Sequence, residues 1–249
     1  MFIDTHCHLE KQYYDDYDLV INNAINNGVT TLIACGCSSL ANEESIKVSN
    51  NYKNIFSTIG FHPDQASVVT DEDLITLDNQ IYNKKVVGIG EIGLDYHYEG
   101  YDKEKQIDLF EKQLKLAEKH NKPIVVHSRD AVQDTINILK KHNLKGIIHS
   151  FSGSYEVAKI YLNMGYKLGI NGVVTFKNCN LKDVLVKLSP EDIVLETDAP
   201  YMTPHPFRGE KNESKNIIIT AQFVADIFNI SLEELAEITS KNARGIFDI

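Results

Sequence analysis

Two histidines close the first apolar run of the chain, in "MFIDTHCHLE". Side chains alternate between faces of an extended strand, so His6 and His8 point the same way with roughly 6 to 7 Å of rise between them. That reach suits two nitrogens gripping one metal ion. Standing alone, such a pair is as readily a solvated or hydrogen-bonded accident, and its meaning depends on what joins it.

Five other β-rich runs end near residues of the same kind. "NIFSTIG" leads to His62, "VVGIGEIG" contains Glu91, "PIVVHS" carries His127, "GIIHSF" carries His149 and "DIVLETD" ends in Asp198. Singly, a strand-end histidine is usually a satisfied polar residue, and Glu91 or Asp198 would suit a helix cap. Gathered at one sheet end, they would compete for too few partners unless a cation joined them. His6, His8, Glu91, His127, His149 and Asp198 make six donors, whereas a single structural ion is closed by four. Two ions with open positions fit that count, with Glu91 giving one oxygen to each across about 3.5 to 4 Å. Imidazole mixed with carboxylate suits zinc, manganese or iron. Such ions make hydroxide from bound water near neutral pH and neutralise a leaving group. The chemistry is hydrolysis of a phosphate ester or an amide-like bond, with no serine or cysteine nucleophile.

Bringing these residues together is a task for the fold. Eight β-rich runs, at 2–8, 30–36, 54–60, 86–93, 123–128, 146–151, 166–172 and 192–198, are separated by longer segments. The clearest helix spans 102–121, where Ile107, Phe110, Leu114 and Ala117 recur at helical spacing. Similar patterns cover 18–27, 71–82, 131–142, 155–164 and 181–188. Nearly continuous apolar strands alternating with helices belong to a parallel sheet covered on both faces. Eight such units in 249 residues predict an α/β fold, a TIM-type (β/α)8 barrel in one domain over 1–249. Active sites of such barrels lie at the C-terminal strand ends, where the reactive residues fall. An open doubly wound sheet is the alternative. Two more helices end the chain, with Ser231 as N-cap and Glu234 completing a capping box.

With 43% hydrophobic and 24% charged residues, the chain can bury a substantial core. No apolar run is long enough for a bilayer and the N-terminus lacks a signal-peptide pattern, so a cytoplasmic protein without membrane contact is expected. Cys7, Cys35, Cys37 and Cys179 do not suggest a disulfide framework. The "CGC" at Cys35 and Cys37 lacks a partner pair for a thiolate site, and the cysteines read as small buried hydrophobes. Cys7, between the histidines, faces away from them. A net charge of −10 argues against a broad electrostatic grip on nucleic acid. A nucleic-acid substrate would be held locally, by cations and a few basic side chains.

The motifs "DTHCHLE", "IGFHPD", "EIGLDYH", "VVHSRDA", "HSFSGS", "ETDAPYMTP" and "RGEKNES" closely resemble the TatD family of metal-dependent deoxyribonucleases, among the amidohydrolase-like barrels. The resemblance covers essentially the whole chain in order. It implies two divalent ions (Mg²⁺, Mn²⁺ or Zn²⁺), phosphodiester hydrolysis on DNA, often as a 3′-to-5′ exonuclease favouring single strands, and a monomer. Carried over by position, His6 and His8 would bind one ion with Glu91 and Asp198, while Glu91, His127 and His149 would bind the second. Asp198 would also orient or deprotonate the attacking water, so Asp198 and Glu91 are the catalytic pair. His62 would contact substrate or phosphate from the mouth, or merely cap its own loop before Pro63.

Arg129 suits a bidentate phosphate contact, or an ion pair with Asp130. Tyr96 and Tyr201 are candidates to stack on an unpaired base or to pack. Arg208 and Glu213 lie in a polar loop where a clamp, a lid or a salt bridge is open. That loop reads "KNES" where the family usually has "RNEP", and Ser214 in place of proline should loosen the turn. His97 is not assigned to metal. Two other functions compete. An amidohydrolase acting on a cyclic amide or lactone would share the HxH and the strand-8 aspartate, but related barrels often bridge their ions with a carboxylated lysine where this chain has Glu91. A non-catalytic metal-binding scaffold would be favoured by a missing ligand, and none is missing.

Overall fold

In the computed structural model, which describes residues 1–249, eight parallel strands stand side by side in sequence order. They are β1 (Phe2–Cys7), β2 (Val29–Cys35), β3 (Ile55–Ile59), β4 (Val86–Asp95), β5 (Ile124–Arg129), β6 (Gly146–Ile148), β7 (Lys167–Ile170) and β8 (Ile193–Leu195). The segment after β8 returns to β1 and closes the ring. Asp198 N–H donates to the His6 carbonyl at 2.9 Å, His8 N–H to the Ala199 carbonyl at 2.7 Å, and Thr5 Oγ1 to the Leu195 carbonyl at 3.0 Å. This is the TIM-type barrel that the alternating pattern predicts, and the open sheet is excluded.

The connecting helices are α1 (Tyr17–Asn26), α2 (Ser39–Asn51), α3 (Asp71–Gln80), α4 (Lys103–His120), α5 (Val132–Leu139), α6 (Tyr155–Asn163) and α7 (Leu181–Leu185), with α8 (Ile217–Phe228) and α9 (Leu232–Phe247) at the end. Side-chain oxygens of Asp16, Ser38, Thr70, Asp102, Ser154 and Ser231 each accept from the N–H three residues on, which fixes where six of these helices begin. The reciprocal bond expected of Glu234 does not form; the reciprocal pair sits instead at Thr70 and Asp73. α2 escapes the periodicity because its buried face is small and polar: Ala41, Asn42, Ser45, Val48 and Ser49. Asn42 earns its burial by accepting the Gly60 N–H at 3.0 Å. α5 and α7 are shorter than their apolar patterns, ending at Leu139 and Leu185.

Two layers of core follow. One large cluster packs strands against helices; a smaller one, Ile3, Ile33, Val87, Val125, Ile147 and Val194, fills the bottom of the barrel. Ala243, Ile246 and Phe247 at the end of α9 seal that floor. No helix is long and apolar enough to cross a membrane.

Candidate metal centre

Two residues further along several of these strands, the side chains change character. Val125 is followed on the same face by His127, Ile147 by His149, and Val194 by Glu196. In β4 the pairing register with β5 shifts between Ile89 and Ile92, so Glu91 leaves the regular ladder at the mouth. Gly90 beside it is required, because a Cβ there would lie 2.6 Å from Val125 Cβ and 2.9 Å from its carbonyl oxygen. Asp198 sits just past β8 with φ 56°, a left-handed conformation uncommon outside glycine, held by its bond to His6 and by Tyr201 N–H at 2.8 Å.

Four donors converge at the end of β1. His6 Nε2 lies 3.3 Å from His8 Nε2, 3.5 Å from Glu91 Oε2 and 3.7 Å from Asp198 Oδ1, and His8 Nε2 lies 3.6 Å from Asp198 Oδ1. Donors about 2.1 Å from one ion in a tetrahedral array stand about 3.4 Å apart, so this set fits a shared divalent cation. The tautomer fits as well. Cys35 carbonyl can only accept, so His8 Nδ1, 3.1 Å away, carries the proton and leaves Nε2 as a lone pair for a metal.

Glu91 divides its two oxygens. Oε2 faces His6, while Oε1 accepts from His127 Nδ1 at 2.7 Å and stands 3.9 Å from His149 Nε2 and 4.0 Å from His62 Nε2. The second expected set is therefore less closed than the first. His127 is drawn directly onto Glu91, and its Nε2 meets Asp95 Oδ2 at 3.1 Å, so it groups with His62 and Asp95 rather than with His149. His149 instead groups with His6 and Asp198, stacked on the His6 ring at 3.7 Å.

Charge is exchanged strongly across this cluster. Burial pushes the Glu91 carboxyl up, yet His149, His127 and His6 outweigh it and hold it well below the usual carboxylate range. Asp198 is likewise held low by His149, His8 and His6 against the effect of burial. Burial pushes the histidines down, but Asp95 and Glu91 lift His127 to about 9, and Glu196, Asp198 and Glu91 lift His149 to about 10. His6, flanked by two other histidines and fully buried, is lowered.

Several carboxylates of the centre were not singled out in the sequence. Glu196, fully buried, lies 3.0 Å from His149 Nδ1 and accepts Ser150 N–H at 2.7 Å. Gly169 leaves it room, since a Cβ there would collide with its carboxylate. Asp95 backs His127 and Glu10 lies 3.4 Å from His8 Nδ1. Asp4, fully buried, ties β1 to the end of β8 through Thr197 N–H at 3.0 Å and Thr197 Oγ1 at 2.6 Å, and burial raises its carboxyl to about 7. The signal available was position: Asp95 and Glu196 share strand faces with Glu91 and Asp198.

The expected substrate contacts divide. His62 caps its own turn, with Nδ1 accepting Asp64 N–H at 3.3 Å, and also packs its ring 4.5 Å from His127 in the mouth. Arg129 pairs with the exposed Tyr98, 3.2 Å from its hydroxyl; Asp130 takes His97 instead at 2.8 Å. Tyr201 hydrogen-bonds Tyr13 at 2.7 Å, and both rings lie about 6 Å from His8, at 6.0 and 6.3 Å. Tyr96 is turned away: its hydroxyl donates to Asp134 at 3.1 Å and its face stacks on Tyr101 at 4.7 Å, because α5 supplies the acid that captures it. Arg208 lies over Phe176 at 4.1 Å, and Glu213 accepts from Asn23 and Lys215. Ser214 does not leave its turn loose, since the fully buried Asn212 bonds Thr197, Tyr201, Glu213 and Asn216.

A family model described as "TatD related DNase" matches residues 3–248. This chain belongs to that TatD-related family. It is 39% identical over 254 residues to an uncharacterized metal-dependent hydrolase, YabD, of Bacillus subtilis, covering 100% of both chains. The crystal structure of YjjV, a TatD homologue from Escherichia coli K12, superposes with a TM-score of 0.95 at 29% identity, covering 100% of this chain and 98% of that one. A TatD family hydrolase from Entamoeba histolytica follows at 0.87 and 26%, covering 99% and 97%. The TatD-family chain is thus a metal-dependent hydrolase that uses divalent metal, and the convergent histidine and carboxylate donors are its candidate ligands.

Proposed function

We propose that this TatD-family hydrolase is a deoxyribonuclease that uses two divalent ions, Mg²⁺, Mn²⁺ or Zn²⁺, to cut phosphodiester bonds from the 3′ end of single-stranded DNA. The observation that supports this reading most is the division of Glu91, one oxygen toward His6 and the other toward His127 and His149. A carboxylate so placed is suited to bridge two ions. His6, His8 and Asp198 would complete the first, His127 and His149 the second. When bound, such ions supply Lewis acidity and a water of lowered pKa.

The chain's own residues supply the rest. Asp198, ionised at neutral pH because His149 and its neighbours hold its pKa down, accepts the proton of the attacking water. Arg129, with Tyr98 rather than a carboxylate as its partner, keeps guanidinium N–H groups for a phosphate. Tyr201 and Tyr13 offer a stacking surface beside His8, and His62, 4.0 Å from Glu91 and packed on His127, offers a contact for a substrate phosphate. With a net charge of −10, affinity must come from this mouth and its ions rather than from a basic face.

The deciding experiment follows 5′-labelled single-stranded DNA through chelation and re-addition of Mg²⁺ or Mn²⁺, with Glu91→Ala in parallel. A ladder shortening from the 3′ end that needs metal and disappears in the variant is expected. DNA left intact with every divalent ion tried sinks the phosphodiesterase reading and sends the same centre to cyclic amides and lactones.

A further inference from the structure

The loops around the barrel mouth divide by charge. Those after β1 to β4 expose Asp15, Asp16, Asp64, Glu99 and Asp102 against Lys11 alone. Asp16 and Asp102 are fixed there, because they accept Leu19 N–H at 3.0 Å and Lys105 N–H at 3.1 Å to start α1 and α4. The β5 to β8 half, contiguous in the ring, exposes Arg129, Lys177, Arg208 and Lys211 against Asp130 and Glu210. Asp130 is taken by His97 at 2.8 Å, whereas Arg208 lies over the Phe176 ring and Lys211 reaches the Tyr13 carbonyl. These cations therefore keep their charge for a ligand.

The same half exposes carbon. Tyr201, Met202 and Phe207, in the loop after β8, are 47%, 42% and 43% exposed. Large apolar side chains so close together in water mark a contact surface. The platform beneath them is tied down: His205 N–H donates to Thr175 Oγ1 at 2.8 Å, and Gly172 is required because a Cβ there would lie 2.2 Å from the Met202 carbonyl oxygen. The loop after β7, with Phe176 and Lys177, is thus locked to the loop after β8.

Resting on the deoxyribonuclease reading, we propose that a single-stranded substrate lies along the β7 and β8 loops, with Arg208 and Lys177 on phosphates beyond the scissile one and an unpaired base on Phe207. Interleaved cations and aromatic faces suit a single strand, because each nucleotide carries a charge to neutralise and a base face to stack, and a duplex hides those faces. The acidic loops opposite repel a strand continuing across the mouth, so an end meets the ions more readily than an interior bond. This half of the rim supplies the local grip that a net charge of −10 denies to the surface as a whole.

Steady-state kinetics of the metal-loaded full chain on two substrates test the path: a long oligothymidylate, which reaches the loops, and bis-(p-nitrophenyl) phosphate, which fills only the centre. Phe207→Ala and Arg208→Ala should each raise KM for the oligonucleotide about 5-fold or more, with kcat and the small diester affected less. In the wild type that KM should climb with salt. Arg208→Ala should flatten the double-logarithmic slope by about 0.7, and Arg208→Lys should restore it. Lys11→Ala, on the acidic half, should match the wild type. An oligonucleotide KM indifferent to both variants overturns the path, as does an Arg208→Ala that harms both substrates alike with the salt slope unmoved, the mark of a merely structural contact with Phe176. A wild type that cleaves no oligonucleotide with any divalent ion removes the deoxyribonuclease reading itself, and the path with it.

Discussion

The floor and the mouth of this barrel are built on the same strands, and two residues separate them. At the floor, Ile3, Ile33, Val87, Val125, Ile147 and Val194 meet the end of α9 and leave no polar atom to satisfy. At the mouth, on the same strand faces, His127, His149 and Glu196 stand in a cluster where Asp4, His6 and Glu196 are 0% exposed. Burial stabilises the first arrangement and penalises the second, because ionised groups removed from water must find opposite charge. The floor is a source of stability that the mouth draws on.

The most severe way to break this contrast is at Glu91, which faces both ligand sets. Glu91→Ala should lower kcat/KM by about 10³-fold or more, the equivalent of about 4 kcal/mol, and should lose the rise in melting temperature that added metal gives the wild type, while the metal-free variant melts lower because His127 and His149 lose a buried counter-charge. A variant that kept the full stabilisation by metal would mean that Glu91 serves the fold and not the ions. The reciprocal change is Phe247→Ala, which empties the seal beneath the barrel. It should cost about 3 to 4 kcal/mol in denaturant unfolding, leaving kcat/KM and metal affinity of the folded fraction unchanged. If activity of the folded protein fell in step, floor and mouth would not be separable.

The two regions were also unequally legible in the sequence. The floor and its strands could be read because burial on both sheet faces writes continuous apolar runs, and helices such as α4 write a 3.6-residue stripe. α2 was invisible for the opposite reason: a helix packed through Asn42, Ser45 and Ser49 carries no apolar period. In the mouth, residue type and strand-end position singled out six candidate donors, which the structure brings to one end of the barrel, but not Asp95, Glu196 or Glu10 beside them. What they could not supply was pairing. That His127 leans on Asp95 while His149 leans on Glu196, or that Tyr96 is captured by Asp134, depends on side-chain directions across different strands and helices. Cys37 has no second pair of cysteines in the sequence to mark it, and its neighbours in the structure, His8 and Glu10, come from the loop after β1.

A finer division within the mouth separates residues that face the ions from those that face the ligands. Glu196 touches His149 Nδ1 and not the convergent nitrogens, so Glu196→Gln keeps shape and an acceptor while removing the charge that orients the ring. Metal affinity by calorimetry should fall about 10- to 100-fold and the stabilisation by a fixed metal concentration should shrink, with the metal-free protein also melting lower because His149 loses the first of its counter-charges. Unchanged metal affinity, with only the metal-free melting temperature lowered, would make Glu196 a structural partner of His149 just past β8 and not a support of the ions.

The smallest effect is expected where an acid lies in neither region. Asp78 on α3 accepts from Lys119 Nζ at 2.6 Å and His120 Nε2 at 2.6 Å on α4, a partly exposed cluster on the helical layer. Lys119 first, then His120, holds its carboxyl below the usual value. A depressed folded-state pKa gives stability that is full above the unfolded value, near pH 4, and lost as pH falls through the folded one. Asp78→Asn should therefore cost about 0.5 to 1 kcal/mol at pH 7, a shift of about 1 to 4 °C, and the gap from wild type should close below about pH 3. Activity at pH 7 should not change. A gap that persisted in acid would assign the loss to packing between α3 and α4, and a loss of several kcal/mol would place buried-type electrostatics outside the mouth, where the contrast with the floor says there is none.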